Sequence, residues 1–376
     1  MPLKRIKVKN MVDTSTKFQE FVEERNLSKA TVKQYKATLR QYCEFQGLTL
    51  DELFAEADAE EEKGIRLKKR TLRTRLTNFR TAIIETDSKN TITNKVNQVK
   101  TFYRHFEIEI PSLPYLSDKN IRKEAPISFD DIPTKTIIRE ALDFSSLMMR
   151  AFILLQCSSG MDKSTVLSLT VGQFLEATEK YDENKSIHDN LITIYSSKEL
   201  IIPTFKLKRP KVNEYYYTFC TAECTHEIVK MLLNENRELT CESKLFKVSS
   251  NYVNTLMGRI NDVLMLGTVG TTGYNRFRSH MLRKFNATAL CNGENALTEE
   301  EVDFIQGRSR GKIRETYLKK NPVQLKHRYI QAMNNVLINH ESSVRNQQIR
   351  ELERNEDEIA KWIGIFKELG MKVEEL

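Results

Sequence analysis

The feature that most constrains this chain is a change in the spacing of its apolar residues. Over the first hundred residues they recur at helical intervals. Pro111, Pro114 and Pro126 then break that pattern, and β-rich runs are confined to the stretch between Leu191 and Phe219. At 376 residues the chain is too long for one ordinary domain. The proline-broken segment is therefore expected to separate a first domain from a second. The fold class this predicts is mainly α with a small antiparallel β-sheet: an all-helical first domain and an α+β second domain.

Residues 1–13 are basic and are expected to form a flexible N-terminus. From Thr14 the chain reads helical, with Phe18, Phe21 and Val22 in register. Ser28 is placed as an N-cap, and Val32, Tyr35, Leu39 and Tyr42 make an apolar stripe. Leu50–Glu62 is acidic and helical. Arg66–Ile84 is expected as a single helix carrying Lys68, Lys69, Arg70, Arg73, Arg75 and Arg80. Asn94–Phe106 turns Val96, Val99, Phe102 and Tyr103 inward. Residues 14–110 thus form a four-helix unit with one strongly basic helix, and 111–126 a basic linker with Lys119, Arg122 and Lys123.

The second domain is expected over 127–338. Pro133–Leu142 and Ser145–Cys157 look helical. Leu191–Tyr195, Leu200–Ile202 and Tyr215–Phe219 read as strands. Helices resume at Cys224–Asn234, Ser250–Leu266, His280–Cys291, Glu299–Gln306, Ile313–Lys320 and Val323–Ile338. In the tail, 339–376, Ile349, Leu352, Ile359, Ile363 and Phe366 fall on heptad positions interrupted by Glu356. That seam suits a contact with the same chain or with another subunit.

Charge narrows the partner. Lys and Arg number 59 against 51 Asp and Glu, a net charge of +8, which favours a polyanion. No apolar run approaches the roughly 18 residues of a membrane span. Met1-Pro2-Leu3-Lys4-Arg5 has no apolar signal region, so a cytoplasmic protein is expected. Six scattered cysteines fit a reducing compartment. Cys220, Cys224 and His226 are close in sequence, but no second ligand pair follows at finger spacing, so no metal is expected. Nothing points to a cofactor or a small-molecule substrate.

One ordered set of residues carries chemistry. His280 and Arg283 open a helix and share a face one turn apart. Gly307-Arg308-Ser309 and Thr316-Tyr317 follow. Taken singly, His280 suits a helix cap or a buried histidine, and Tyr317 a half-buried aromatic; the ordered set is far more specific than its members. It resembles the tyrosine recombinase, or phage-type integrase, family. The family's His-x-Leu-Arg helix matches His280-Met281-Leu282-Arg283-Lys284-Phe285-Asn286-Ala287-Thr288. Its Leu-Gly-His-Ser segment matches Gln306-Gly307-Arg308-Ser309, and its Thr-x-x-Tyr region loosely matches Glu315-Thr316-Tyr317-Leu318. An earlier box, Thr-Gly-Leu-Arg before a leucine-rich helix, resembles Ser159-Gly160-Met161-Asp162-Lys163 and the residues to Leu169. The resemblance spans about residues 14–338.

The resemblance implies a two-domain DNA clamp: a helical core-binding (SAM-like) domain over 14–110 and a catalytic domain over 127–338. It implies double-stranded DNA as partner and a homo-tetramer acting on two duplexes. The tyrosine oxygen of Tyr317 would attack a backbone phosphate and displace a 5′-hydroxyl, leaving a 3′-phosphotyrosyl link. Such a link conserves the phosphodiester energy, so neither ATP nor metal is required. Arg283 would fork two hydrogen bonds onto phosphate oxygens, and His280 would donate a hydrogen bond or act as acid–base. A lysine in a β-turn would protonate the leaving oxygen. That turn resembles Lys206-Leu207-Lys208-Arg209-Pro210-Lys211, with Lys211 favoured and Lys208 second. The family's first arginine has no counterpart: Asp162 takes its place by strict count, and Lys163 is assigned the charge. Arg308 stands where the family has His or Trp. Tyr329 is a rival nucleophile, and Tyr274 reads as a loop aromatic. Two other functions stay open: a DNA-binding accessory or architectural protein with a weakened site, and a type IB topoisomerase.

Overall fold

The computed structural model of the protein describes residues 10–117, 121, 127–209, 214–269, 273–308 and 321–339, with side chains from Val12 onward. The chain forms two compact units that divide between Ala125 and Pro126, each with its own hydrophobic core.

Among its described residues the first unit has helices and no strand: α1 (Asn10–Asp13), α2 (Thr16–Glu24), α3 (Lys29–Gln46), α4 (Leu50–Glu62), α5 (Thr71–Ala82) and α6 (Lys89–His105). Hydroxyl N-caps set several starts. The Ser28 side chain accepts from the Thr31 amide, and Thr49 and Glu52 close a reciprocal capping box. Leu39, Tyr42, Leu53, Leu76, Phe79, Val99, Phe102 and Tyr103 make the core. The four long helices α3–α6 carry most of it, with the shorter α1 and α2 ahead of them.

Two expectations change here. Arg66–Ile84 is not one helix. A 3₁₀ turn at Leu67–Lys69 is followed by an extended Arg70 (φ −65°, ψ 137°), and α5 begins after it. The Arg70 side chain, only 6% exposed, folds back to donate to the Ile65 carbonyl at 2.9 Å and pairs with Glu61. The basic run is also less free than its composition suggests. Arg75 pairs with Glu56 at 2.6 Å and Arg80 donates to the Pro114 carbonyl, while Lys68 and Lys69 remain exposed. Leu113, Leu116 and Ile121, within the segment expected to be a linker, pack on this first core.

The second unit is mainly helical with a small antiparallel sheet. Its first helices are α7 (Lys135–Asp143), α8 (Leu147–Ser159), α9 (Lys163–Ser168), α10 (Val171–Ala177) and α11 (Ile187–Tyr195). Strands β1 (Thr204–Arg209) and β2 (Glu214–Phe219) pair from Thr204↔Phe219 to Arg209↔Glu214. Next come α12 (Ala222–Leu233), α13 (Ser250–Val263), a two-residue ribbon of β3 (Thr268–Val269) and β4 (Tyr274–Asn275), α14 (Ser279–Asn292), α15 (Glu299–Ile305) and α16 (Pro322–Ala332). The apolar α8, buried from Ala151 to Ser159, is the hub, and α12 and α14 pack against it.

Leu191–Tyr195, expected as a strand, is the second half of α11. Ser186 caps that helix by accepting from the Asp189 amide, and Asn190 donates to the carbonyls of Asp182, Lys185 and Ser186. Leu191 and Ile194 face inward at helical spacing. Leu200–Ile202 belongs to no strand, and β1 starts two residues later. Lys206 and Lys208 lie on β1 rather than in the turn, alternating outward against the buried Phe205 and Leu207. Residues 313–320 and the heptad tail, 340–376, lie outside the described residues.

Candidate active site

Arg283 organises the site. It sits on α14 one turn beyond His280, and the half-buried guanidinium spans two elements. Nη1 donates to the Gly160 carbonyl at 2.7 Å and Nη2 to the Gln306 carbonyl at 2.9 Å. Gly160 ends α8 in the left-handed region (φ 65°), and Gln306 ends α15. The arginine therefore ties the sequence boxes around residues 160, 283 and 306 into one place. Burial lowers its pKa, and the Arg308 charge adds to that; Asp162 opposes it. Of the five guanidinium N–H donors, two are engaged by these carbonyls.

His280 is solvent-facing at the start of α14. Desolvation there lowers its pKa below the ordinary histidine value, and Lys284, Arg278, Arg283 and Arg308 push the same way. A histidine held among cations is neutral over more of the physiological range and can give or take a proton. Arg308 follows α15, with its side chain 3.3 Å from the Asp303 carboxylate and its amide bonded to the Asp303 carbonyl. Gly307, at φ 63°, lies over the Tyr216 ring: a Cβ there would meet ring carbons at 2.8–2.9 Å. Burial pushes the Tyr216 hydroxyl up to about 12. Three of the expected residues, His280, Arg283 and Arg308, thus share one cationic neighbourhood.

Lys163 and Asp162 point to different neighbours. Lys163 opens α9, and its ammonium turns to α13, donating to Asn254 Oδ1 at 2.6 Å and to the Ser250 carbonyl at 3.4 Å. Asp162 caps α9, accepting from the Thr165 amide at 3.0 Å. Burial acts to raise its carboxyl. Hydrogen bonds from Ser164 and Thr165, with the Arg283 charge, outweigh that and hold it below the usual carboxylate range. An anion therefore stands beside Arg283.

Tyr317 and Lys211 lie outside the described residues. Lys208 and Lys206 stand 5.7 and 5.1 Å from the centre of the Tyr215 ring. Tyr329, the rival nucleophile, is fully buried on α16 and donates to the Ser158 carbonyl at 3.0 Å. Burial raises its hydroxyl well above the ordinary value, and the buried oxygen is not open to solvent. Tyr274 is exposed, with the Arg278 guanidinium 4.9 Å over its ring. Cys220 and Cys224 are buried in the core, whereas His226 faces outward and stacks on Tyr195 at 4.6 Å. Among the described residues, no group of His, Cys, Asp and Glu could hold a metal ion.

Three features escape sequence reasoning: the Tyr216 ring under Gly307, the Asp162 cap, and the buried pair Asn286 and Gln306. The last left a trace, because Asn286 interrupts the otherwise apolar inward stripe Met281, Leu282, Phe285 and Leu290.

No protein-family model and no curated protein matches this chain. Solved structures similar to it include the following two. One is described as XerA recombinase, with 15% identity, 86% of this chain and 98% of that chain covered, and a TM-score of 0.32. The other is an integrase from mycobacterium phage Brujita, with 14% identity, 89% and 97% covered, and a TM-score of 0.34. TM-scores below 0.5 mean loose superpositions. No described helix is long and apolar enough to cross a membrane.

Proposed function

We propose that this chain is a site-specific DNA recombinase that cleaves and rejoins strands through a 3′-phosphotyrosyl intermediate on Tyr317. The observation that carries this reading is the convergence of Arg283, His280 and Arg308, with Arg283 anchored through two carbonyls from separate elements. Phosphoryl transfer puts negative charge on non-bridging oxygens, and a fixed cationic fork stabilises that charge. In this reading the Tyr317 oxygen bonds to phosphorus as the bond to the 5′-oxygen breaks. His280 handles a proton, and Lys211, or failing it Lys208, protonates the leaving oxygen. Lys163 would have to leave Asn254 to reach the phosphate. The working form would be a homo-tetramer on two duplexes in the cytoplasm.

A second reading has its own support. Asp162, held anionic beside Arg283, repels phosphate where a second cation would help. That favours an accessory DNA-binding protein with a weakened site. Nicked duplexes that lose the cleaved end discriminate, because they trap any covalent intermediate. Wild type is expected to form an adduct on such a substrate pool, and Tyr317→Phe to form none. An adduct in Tyr317→Phe would remove Tyr317 as nucleophile. DNA binding by wild type with no adduct on any site would favour the accessory reading.

A further inference from the structure

Resting on that reading, we infer that Gln306 and Asn286 form a buried carboxamide clamp that positions the Arg283 guanidinium. Both side chains are essentially inaccessible, at 2% and 0% exposure. Burying an amide is costly unless it is hydrogen-bonded. Their bonds converge on the arginine's supports. Asn286 Nδ2 donates to the carbonyls of Cys157 and Ser158 at 2.9 and 2.8 Å, fixing the last turn of α8 just before Gly160. Asn286 Oδ1 accepts from Gln306 Nε2 at 2.7 Å.

Gln306 then closes a loop with Arg283. Its Nε2 donates to the Arg283 main-chain carbonyl at 3.1 Å, while its own carbonyl accepts from Arg283 Nη2 at 2.9 Å. The other acceptor of the fork, Gly160, lies against both amides. A Cβ there would be 2.3 Å from Asn286 Oδ1 and 2.6 Å from Gln306 Nε2. Each anchor of the fork therefore belongs to a residue that the amide pair holds or touches. Among the described residues Gln306 Oε1 is buried without a hydrogen-bond partner. An apolar pair would fill this space but would strip the Cys157, Ser158 and Arg283 carbonyls of these donors and leave the arginine support slack. Gln306 and Asn286 are thus positioning residues, fixing a rotamer-rich cation before substrate arrives.

The test pairs a catalytic readout with one that needs no activity. In full-length wild type, nitrogen-detected NMR is expected to show separate Arg283 Nη1 and Nη2 signals, because both are anchored. Rapid averaging in wild type would overturn the clamp outright. The double variant Gln306→Met with Asn286→Leu replaces both partners with apolar side chains of similar size. Because it strips the amide donors from the Cys157, Ser158 and Arg283 carbonyls, it is expected to melt several degrees below wild type, to remain folded by circular dichroism, and to average the two signals. It should form the covalent adduct about a hundredfold more slowly, with DNA affinity changed by less than about twofold. A double variant that keeps separate signals and the wild-type cleavage rate would reduce the pair to packing. Failure of wild type to form any adduct, with the signals still averaging only in the variant, would sink the recombinase reading and support the clamp.

Discussion

A side chain at position 160 would collide with the Asn286 oxygen at 2.3 Å and with the Gln306 side chain at 2.6 Å, and the backbone there has φ 65°. The left-handed conformation alone disfavours an L-residue. The contacts are with buried amides engaged in hydrogen bonds, not with the free ends of flexible side chains. Gly160→Ala is therefore expected to lose roughly 2–4 kcal/mol, combining overpacking with φ strain, and urea titration would read it. A loss below about 0.5 kcal/mol would show that this junction yields easily. At Gly307 the opposing surface is the Tyr216 ring face. Both positions lie next to residues that carry the proposed chemistry, so the precision of the site is partly a precision of missing methyl groups.

At the scale of elements, α12 illustrates how the second unit fastens the residues that follow α16. Glu223 accepts from the Ile338 amide at 3.1 Å and also bonds Asn339. Lys135 and Arg139 of α7 donate to the carbonyls of Asn334 and Ile338. Burial pushes the Glu223 carboxyl up to about 6, with Glu227 adding to it and the hydrogen bonds opposing it. A carboxyl raised on folding binds its proton more tightly in the native state. It therefore favours folding below its ordinary range, and that contribution falls as pH rises through 6. Relative to Glu223→Gln, wild type is expected to lose about 1 kcal/mol between pH 5 and 7.5, measured as the difference in urea stability. A flat difference would mean that Glu223 titrates normally.

The same scale shows what the sequence could and could not tell. Helices with hydroxyl caps and clean apolar stripes, such as α3 and α4, were legible because cap and stripe are local. Leu191–Tyr195 was misread because its β-branched composition outweighed a cap at Ser186, five residues upstream. The three boxes of the site were legible from their order. Their meeting was not, since Gly160, Arg283 and Gln306 are joined by main-chain carbonyls, which have no sequence signature. The turn of Lys163 towards α13 likewise depends on Asn254, some ninety residues away.

At the scale of the whole chain, the division into two cores sets what each unit can do alone. Pro111, Leu113, Leu116 and Ile121 lie in the proline-broken segment. Yet Pro111 is buried, Ile121 is only 6% exposed, and Leu113 and Leu116 pack on the first core. Arg80 reaches this segment through the Pro114 carbonyl. A fragment of residues 1–125 is therefore expected to melt cooperatively, whereas one ending at residue 110 would lose the cover that these side chains provide. Burial of one isoleucine and two partly buried leucines contributes about 3 kcal/mol. For a unit of this size that corresponds to a melting temperature lower by roughly 10–20 °C, read by far-ultraviolet circular dichroism. Equal melting temperatures would show that residues 111–125 add nothing to the first core. The shorter fragment should also bind an apolar dye more strongly, because the first core would lose the cover of Leu113, Leu116 and Ile121; an unchanged dye signal alongside the lower melting temperature would locate the loss elsewhere.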